Sequence, residues 1–450
     1  MLPRLAAGLG YRDEIAADLL RTPRSVDFVE VVAESCYVKP AARREAHAVA
    51  EIWPVIPHGV KLSLGAAEGI EKDRAKALGS LAKDLRAPFI SEHVAFVRSG
   101  SREIGHLTGL PFTRTAIGVI ARNVALARKQ SPDIPLLPEK IAWTSSWPDN
   151  EMAEPDFYQE IAAQTGCPLL LDVGNLYANA LNSGQNPVEF AAKFPLERVA
   201  MIHLAGGVFE DDFYFDDHAH AVTNDVFSLL QSILAKTGPV PILIERDAFF
   251  PPFVELAAEV ALCRTLLRQT QTPGKTVAPI SPQGHVDAPA DRVQALEQGQ
   301  NLVAQLLVDP RIPEQSAFEA RAIQRSRAIL QRKRVDEALP LLSFLAPHKA
   351  EVTRIAEEVV TEMPRPAKLA GISDAFAIAQ RASRIPALRF AAERDLLGLQ
   401  TRFVHDPETN MVRPRNAPYF GIHPLSNGKK ALISARGIEP TGFHNGFQHG

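Results

Sequence analysis

Short apolar runs of β type recur eight times in the first 270 residues, each followed by a stretch of helical period, and this alternation leaves few architectures open. The runs are "AAGLG" near residue 6, "VDFVEVVAES" near 26, "GVKLSLG" near 59, "PFISEHVAF" near 88, "IPLLPEKIAW" near 134, "PLLLDVGNL" near 168, "RVAMIHLAGG" near 198 and "VPILIERD" near 240. Between them, "EKDRAKALGSLAKDLR", "FTRTAIGVIARNVALARK" and "TNDVFSLLQSILAKTG" repeat apolar residues at i, i+3, i+4 and i+7, the spacing of a helix with one buried stripe. Eight strands with helical crossovers predict an α/β fold, a (β/α)8 TIM barrel. A doubly wound open sheet is the alternative, but it usually carries a Gly-rich phosphate loop after its first strand, and "GLGYRDE" supplies none.

The barrel is expected to occupy residues 1–270. Residues 271–290, "QTPGKTVAPISPQGHVDAPA", are rich in Pro, Gly and Thr and have the composition of a linker. Residues 291–450 then read as a small, mainly helical domain, with helical period in "DRVQALEQGQNLVAQLLVD", "SAFEARAIQRSRAILQRKRVDEALPLLSFL" and "AEVTRIAEEVVTEM". Turn signals such as "SNGK" give that domain an irregular or hairpin-like tail. With 46% apolar and 22% charged residues and a net charge of -3, the chain has material for a large core and no overall field for a polyanion, so no nucleic-acid partner is indicated. Cys36, Cys167 and Cys263 lie far apart and form no CxxC pair, which fits a reducing cytoplasm. No signal peptide and no apolar run of membrane-spanning length is expected.

In such a barrel the C-terminal ends of the strands converge on one face, and here those ends are rich in metal-binding side chains. His58 is expected just before strand three, His93 ends strand four, Glu139 sits in strand five, and Asp172 and Asn175 end strand six. His203 lies in strand seven, Asp216, His218 and His220 in the loop after it, and Glu245 ends strand eight. Imidazoles and carboxylates without thiolate suit iron, manganese or zinc. A single hydrolytic zinc needs only three protein ligands, so this surplus points to two or three bridged ions. If residues 214–222, "YFDDHAHAV", are extended, alternation puts Asp216, His218 and His220 on one side and Asp217 on the other.

The segments "GLGYR", "AESCY", "HGVKLSLG", "SEHVAF", "GLPFT", "LLPEKI", "LLLDVGNLYANALN", "IHLAGG", "DDHAHAV" and "LIERD", taken in order, resemble the multinuclear non-heme iron-dependent oxidases, peptide-modifying TIM barrels typified by the methanobactin-biosynthesis oxidase. The resemblance spans roughly residues 4–270. It implies iron ligands at His58, His93, Glu139, Asp172, His203, Asp216, His218 and Glu245, with Glu139, His93 and Asp172 closest to catalysis. It puts Asn175 and His220 beside the cluster, as ligands or as partners behind them. The chain departs from the family pattern at Glu92-His93 for Asp-His, at Glu139-Lys140 and Glu34-Ser35 for Glu-Asn, and at Ala219 and Ala221 for Gly and Pro. Lys140, next to Glu139, is thereby expected to act on the site electrostatically.

The activity implied is O2-dependent oxidation of a ribosomally made precursor peptide by a mixed Fe(II)/Fe(III) centre of two or three ions, at a Cys or, in some members, an Asp or another residue. Family members work with a separate protein that presents the leader peptide. The segment "EARAIQRSRAILQRKRVDEALPLLSFL" resembles the helical start of such partners, so residues 291–450 are expected to be a fused equivalent; otherwise they are a helical appendage for oligomerisation in which "RSRAILQRKR" is a solvated basic face. Two other functions compete. One is a metal-dependent hydrolase or isomerase of the endonuclease-four or xylose-isomerase type, and the other is a non-catalytic metal-dependent scaffold.

Overall fold

The computed structural model describes residues 5–38, 40–100, 102–274, 277–283, 288–313, 318–406, 409–428 and 430–435. Eight parallel strands close a barrel: β1 (Ala7–Gly10), β2 (Val29–Val32), β3 (Val55–Gly59), β4 (Ile90–His93), β5 (Leu136–Glu139), β6 (Leu169–Asp172), β7 (Val199–Leu204) and β8 (Ile242–Ile244). Each strand pairs with its sequence neighbours, and β8 pairs with β1. The helices Lys72–Asp84, Arg114–Arg128 and Asn224–Thr237 fall where helical period placed them. Two of them start at a threonine whose hydroxyl accepts an N–H of the first turn, Thr113 from Ala116 and Thr223 from Val226.

The interior of the barrel follows from the period of two along each strand. Phe28, Ile56, Phe89, Leu137, Leu170, Met201 and Leu243 form one apolar cluster. Two residues further along six of these strands stand Glu30, His58, Glu139, Asp172, His203 and Glu245, and four residues beyond Phe89 stands His93. Two residues advance about 6.6–6.8 Å along a strand. An apolar floor is therefore roofed by a layer of acids and imidazoles at the C-terminal ends of the strands. Strand β1 carries glycine at positions 8 and 10, where there is no room for a side chain: a Cβ on Gly8 would lie 2.8 Å from the Phe28 ring, and one on Gly10 would lie 3.0 Å from the Arg12 guanidinium.

The third strand differs from expectation. It is Val55–Gly59, not the run beginning at Gly59, and His58 therefore lies within it, one residue from its end, and does not precede it. Residues 60–62 form a loop whose N–H groups are taken by carboxylates: Val60 and Lys61 donate to Glu34, and Leu62 donates to Glu92 at 2.9 Å. With these donors satisfied by side chains, the alternating "VKLSL" pattern needs no ladder partner.

Among the described residues the chain divides into two compact units, one within residues 5–97 and 107–300, the other within residues 98–106 and 301–435. Between residue 271 and the helix Ala290–Val308, the described residues form no helix or strand. The second unit is built from helices Ala320–Ala338, Lys349–Glu362, Ala370–Ala382 and Arg389–Arg402, with Ile355, Val359, Phe376 and Ile378 in its core. Two antiparallel hairpins follow, Phe403–Asp406 with Met411–Pro414 and Tyr419–Pro424 with Lys430–Ala435; the rest of the expected tail, 436–450, lies outside the described residues.

The run "RSRAILQRKR" is not a uniformly solvated face. Arg334 is buried, donates to both Asp374 oxygens at 2.9 and 2.8 Å, and also reaches the carbonyls of Val360 and Met363. Among the described residues no helix is long and apolar enough to cross a membrane.

Because the floor supports the polar layer, Leu137→Ala, at a fully buried position two residues before Glu139, is expected to lower the stability of the barrel by about 2–5 kcal/mol through the cavity it leaves. Denaturant unfolding followed by barrel tryptophan fluorescence checks this.

Candidate metal centre

Glu139 is the point at which the polar layer meets. Its Oε2 lies 3.5 Å from His93 Nε2 and 3.8 Å from His58 Nδ1, and its Oε1 lies 3.3 Å from His203 Nδ1. The same His203 Nδ1 is 3.3 Å from Glu245 Oε2, while His203 Nε2 sits 3.0 Å from Glu30 Oε2. His58 keeps its Nδ1 on the Ser91 hydroxyl at 2.8 Å. The His58 and His93 rings meet edge to face with centroids 4.7 Å apart.

The other side of the centre is built by β6 and the loop after β7. Asp172 caps the helix Val173–Asn182, its Oδ1 accepting from Asn175 N at 2.7 Å. Its Oδ2 is left 4.0 Å from His218 Nε2, which lies 3.1 Å from Asp216 Oδ2. His218 Nδ1 faces Glu245 Oε2 at 3.4 Å and Asp247 Oδ2 at 3.5 Å. Gly174 makes room for this, since a Cβ there would lie 2.9 Å from Asp216 Oδ1.

These side chains form four overlapping groups, each able to bring three ligand atoms within 4.8 Å of one another: His58, His93 and Glu139; Glu30, His58 and Glu245; Glu139, Asp172 and His203; Asp172, His218 and Glu245. Six polar atoms buried here have no hydrogen-bond partner, namely Glu30 Oε1, His93 Nδ1, Glu139 Oε2, Asp172 Oδ2, His203 Nδ1 and Asp216 Oδ1. Orphaned atoms of this kind are costly in a protein interior, and their concentration in one place fits bound cations.

The sequence profile of the family described as "RiPP precursor modification enzyme MbnB/TglH/ChrH" matches residues 6–268. The chain belongs to this family. A UPF0276 protein of Streptomyces avermitilis is 38% identical over 278 residues, covering 60% of this chain and 57% of that protein. A UPF0276 protein of Rhizorhabdus wittichii is 35% identical over 268 residues, covering 59% of this chain and 96% of that protein. Among solved structures, an endonuclease IV from Thermus thermophilus aligns with a TM-score of 0.39 at 16% identity, covering 59% of this chain and 99% of that one.

All eight side chains that the family resemblance marks as ligands come together in this member of the MbnB/TglH/ChrH family. Its Glu30 and Asp247 also reach the cluster, although neither stood out in sequence; Glu30 is a lone acid inside an apolar strand, two residues after the floor residue Phe28. Arg12 closes the outer edge, donating to Asp247 at 2.6 Å and standing 3.5 Å from Glu245.

Two expectations change. His220 does not share a side with Asp216 and His218. Its Nδ1 lies 3.0 Å from an oxygen of Asp217, and its side chain is 44% exposed. The backbone at His218 is left-handed, with φ of 55°, which breaks the alternation assumed for an extended segment. Asn175 stands behind the cluster as a partner, its N–H on Asp172 Oδ1 and its own Oδ1 on Ala142 N, whereas Lys140 points away from the ligands to Glu154, with Nζ and Oε1 3.4 Å apart.

Charge regulation inside the cluster is strong. Burial, helped by His93, pushes His58 down to about 3, so that imidazole is neutral. Burial also opposes charge on His93, yet Glu139 and Glu92 outweigh it and raise that group to about 9. His203, against Glu30 and Glu139, and His218, against Asp216 and Glu245, are likewise lifted well above the usual range despite burial. Burial and then Asp216 raise Asp172 to about 7.

At pH 7 these raised groups hold protons that metal ligation must displace. Uptake of Co2+ is therefore expected to release protons at pH 7 and to strengthen as pH rises toward 9. Titration calorimetry in two buffers of different ionisation enthalpy measures the release, and an uptake enthalpy independent of buffer would contradict it.

Proposed function

We propose that this chain is an O2-dependent, multinuclear non-heme iron oxidase that modifies a residue of a ribosomally made precursor peptide, a Cys in the first instance and an Asp or another residue otherwise. The observation that carries this reading is the overlap of four ligand groups made only of imidazoles and carboxylates. A single ion leaves most of the orphaned atoms unsatisfied, whereas about two or three bridged ions use them, and this hard and borderline donor set suits iron in both oxidation states.

His58, His93 and Glu139 would hold one ion, Glu139, Asp172 and His203 a second, and Asp172, His218 and Glu245 with Asp216 a third. When bound, iron supplies the redox chemistry through which O2 oxidises the peptide. Glu139, His93 and Asp172 are the residues assigned to catalysis. Glu139 and Asp172 are each shared by two groups, and the His93 side chain, 11% exposed, stands at the edge of the buried cluster.

Cys36, Cys167 and Cys263 are buried and are not among the grouped side chains, so a thiolate ligand would come from the peptide. Burial raises the Cys36 thiol to about 11, against thiolate character. Three unpaired thiols and a ferrous centre both fit a reducing cytoplasm. A role for residues 291–450 in receiving the leader peptide belongs to the same proposal.

A nuclease-type hydrolase is disfavoured by the loop after β7, where Glu210, Asp211 and Asp212 are exposed beside Phe209. Such an acidic rim repels the phosphates a nuclease must bind.

The test is anaerobic production of the full chain together with the short peptide encoded beside its gene, followed by metal analysis and mass measurement of the peptide. Iron and a mass change from oxidation, ring formation or carbon loss are expected. Glu139→Gln and His93→Ala are expected to abolish the mass change, whereas a non-catalytic scaffold would bind peptide without changing it. Zinc alone, no metal, or an unaltered peptide would overturn the proposal.

A further inference from the structure

Behind Glu139 lies a second buried polar cluster that the ligand set does not use. Residue 140 follows the ligand on the same strand end and so points the opposite way. The Lys140 side chain is 1% exposed, and its Nζ lies 3.4 Å from Oε1 of Glu154, which is itself buried in the first turn of the helix Glu154–Thr165. Glu154 also accepts from Trp143 Nε1 at 3.0 Å and from Asn179 Nδ2 at 3.0 Å.

Asn179 Nδ2 donates in addition to Ile141 O at 3.1 Å, and Asn179 Oδ1 accepts from Trp143 N at 3.1 Å. One helical turn earlier, Asn175 Oδ1 accepts from Ala142 N. Residues 141–143, which leave Glu139, are thus stitched to one face of the helix Val173–Asn182, and the cap of that helix is Asp172. Glu154 is the hub of the stitching, and Lys140 is the cation that pairs with it.

We infer that Lys140 and Glu154 form a positioning pair that fixes Glu139 against Asp172 and thereby sets the affinity of the ion held between them. The inference rests on the metal centre proposed above. The two carboxylates sit on neighbouring strands, and the spacing of their oxygens depends on how the segment after β5 meets the helix after β6. A buried Glu154 without its cation is an uncompensated charge in a poor solvent, and moving toward water draws it away from its other donors. That movement loosens residues 141–143. Glu154→Gln alone leaves Lys140 as the unpaired buried charge, whereas removing both charges leaves a carboxamide whose oxygen, in the place of Oε2, accepts from Trp143 and Asn179, so the stitching holds.

The test uses the full chain and Co2+ alone as probe, read by equilibrium dialysis and by the visible spectrum of the bound ion. Lys140→Met and Glu154→Gln are each expected to weaken one Co2+ by roughly 10–100-fold, the range for residues that orient metal ligands, and to alter its spectrum. The double variant K140M/E154Q is expected to recover most of both, which a general loss of stability would not do.

Folded K140M with wild-type Co2+ affinity and spectrum overturns the inference, as does a double variant no better than either single one. If K140M does not fold, Asn179→Ala decides, since it cuts the same stitching and keeps the ion pair: weaker Co2+ supports the inference, unchanged Co2+ overturns it. A wild-type chain that takes up no Co2+ overturns the metal centre itself, a separate failure.

Discussion

Charge packed where water cannot reach it governs this molecule. Glu139 is 1% exposed and faces three imidazoles, and Glu30, Asp172, His203 and Glu245 around it are buried as well. Protons shared among acids and imidazoles relieve part of this crowding, which is why Glu245 is held well below the usual carboxylate range by His218 and His203 despite its burial. The remaining orphaned atoms are left for cations. Everything beneath serves to hold the donors still: the apolar floor fixes the strands, the caps and stitched loops fix the strand ends, and Arg12 braces Glu245 and Asp247 from outside.

Much of this could be read from the chain alone because a barrel strand records both its layers in one short run. "LLLD" and "LLPE" each show an apolar floor residue and an acid two positions on, and the eight runs are separated by helices of clear period. Where the fold departs from the sequence pattern, the cause is local. "VKLSL" alternates as a strand does, but carboxylates of Glu34 and Glu92 hold it as a loop, while the true strand, Val55–Gly59, carries a proline at its centre and no such alternation. Glu30 was hidden inside apolar neighbours, although its distance of two from Phe28 obeys the same rule as the other ligands.

Adjacency in sequence misled in two further places. Lys140 stands beside Glu139 in the chain but on the far side of the strand, so it acts on the loop behind the ligand. His220 appeared to continue the alternation of Asp216 and His218, but the left-handed turn at His218 sends it outward to Asp217. The first outcome follows from strand alternation, whereas the second depends on a backbone turn that the residue pattern does not record.

Membership of the MbnB/TglH/ChrH family and the donor geometry lead to the same central claim, that the polar layer is a multinuclear metal centre with Glu139 shared between ions. Anomalous diffraction at the iron edge, from crystals of the full chain grown anaerobically with ferrous iron, tests that claim most directly. More than one anomalous peak is expected in the barrel mouth, with Glu139 between two of them and His93 and His203 on opposite sides of it. A single peak, or peaks away from Glu139, would contradict that claim.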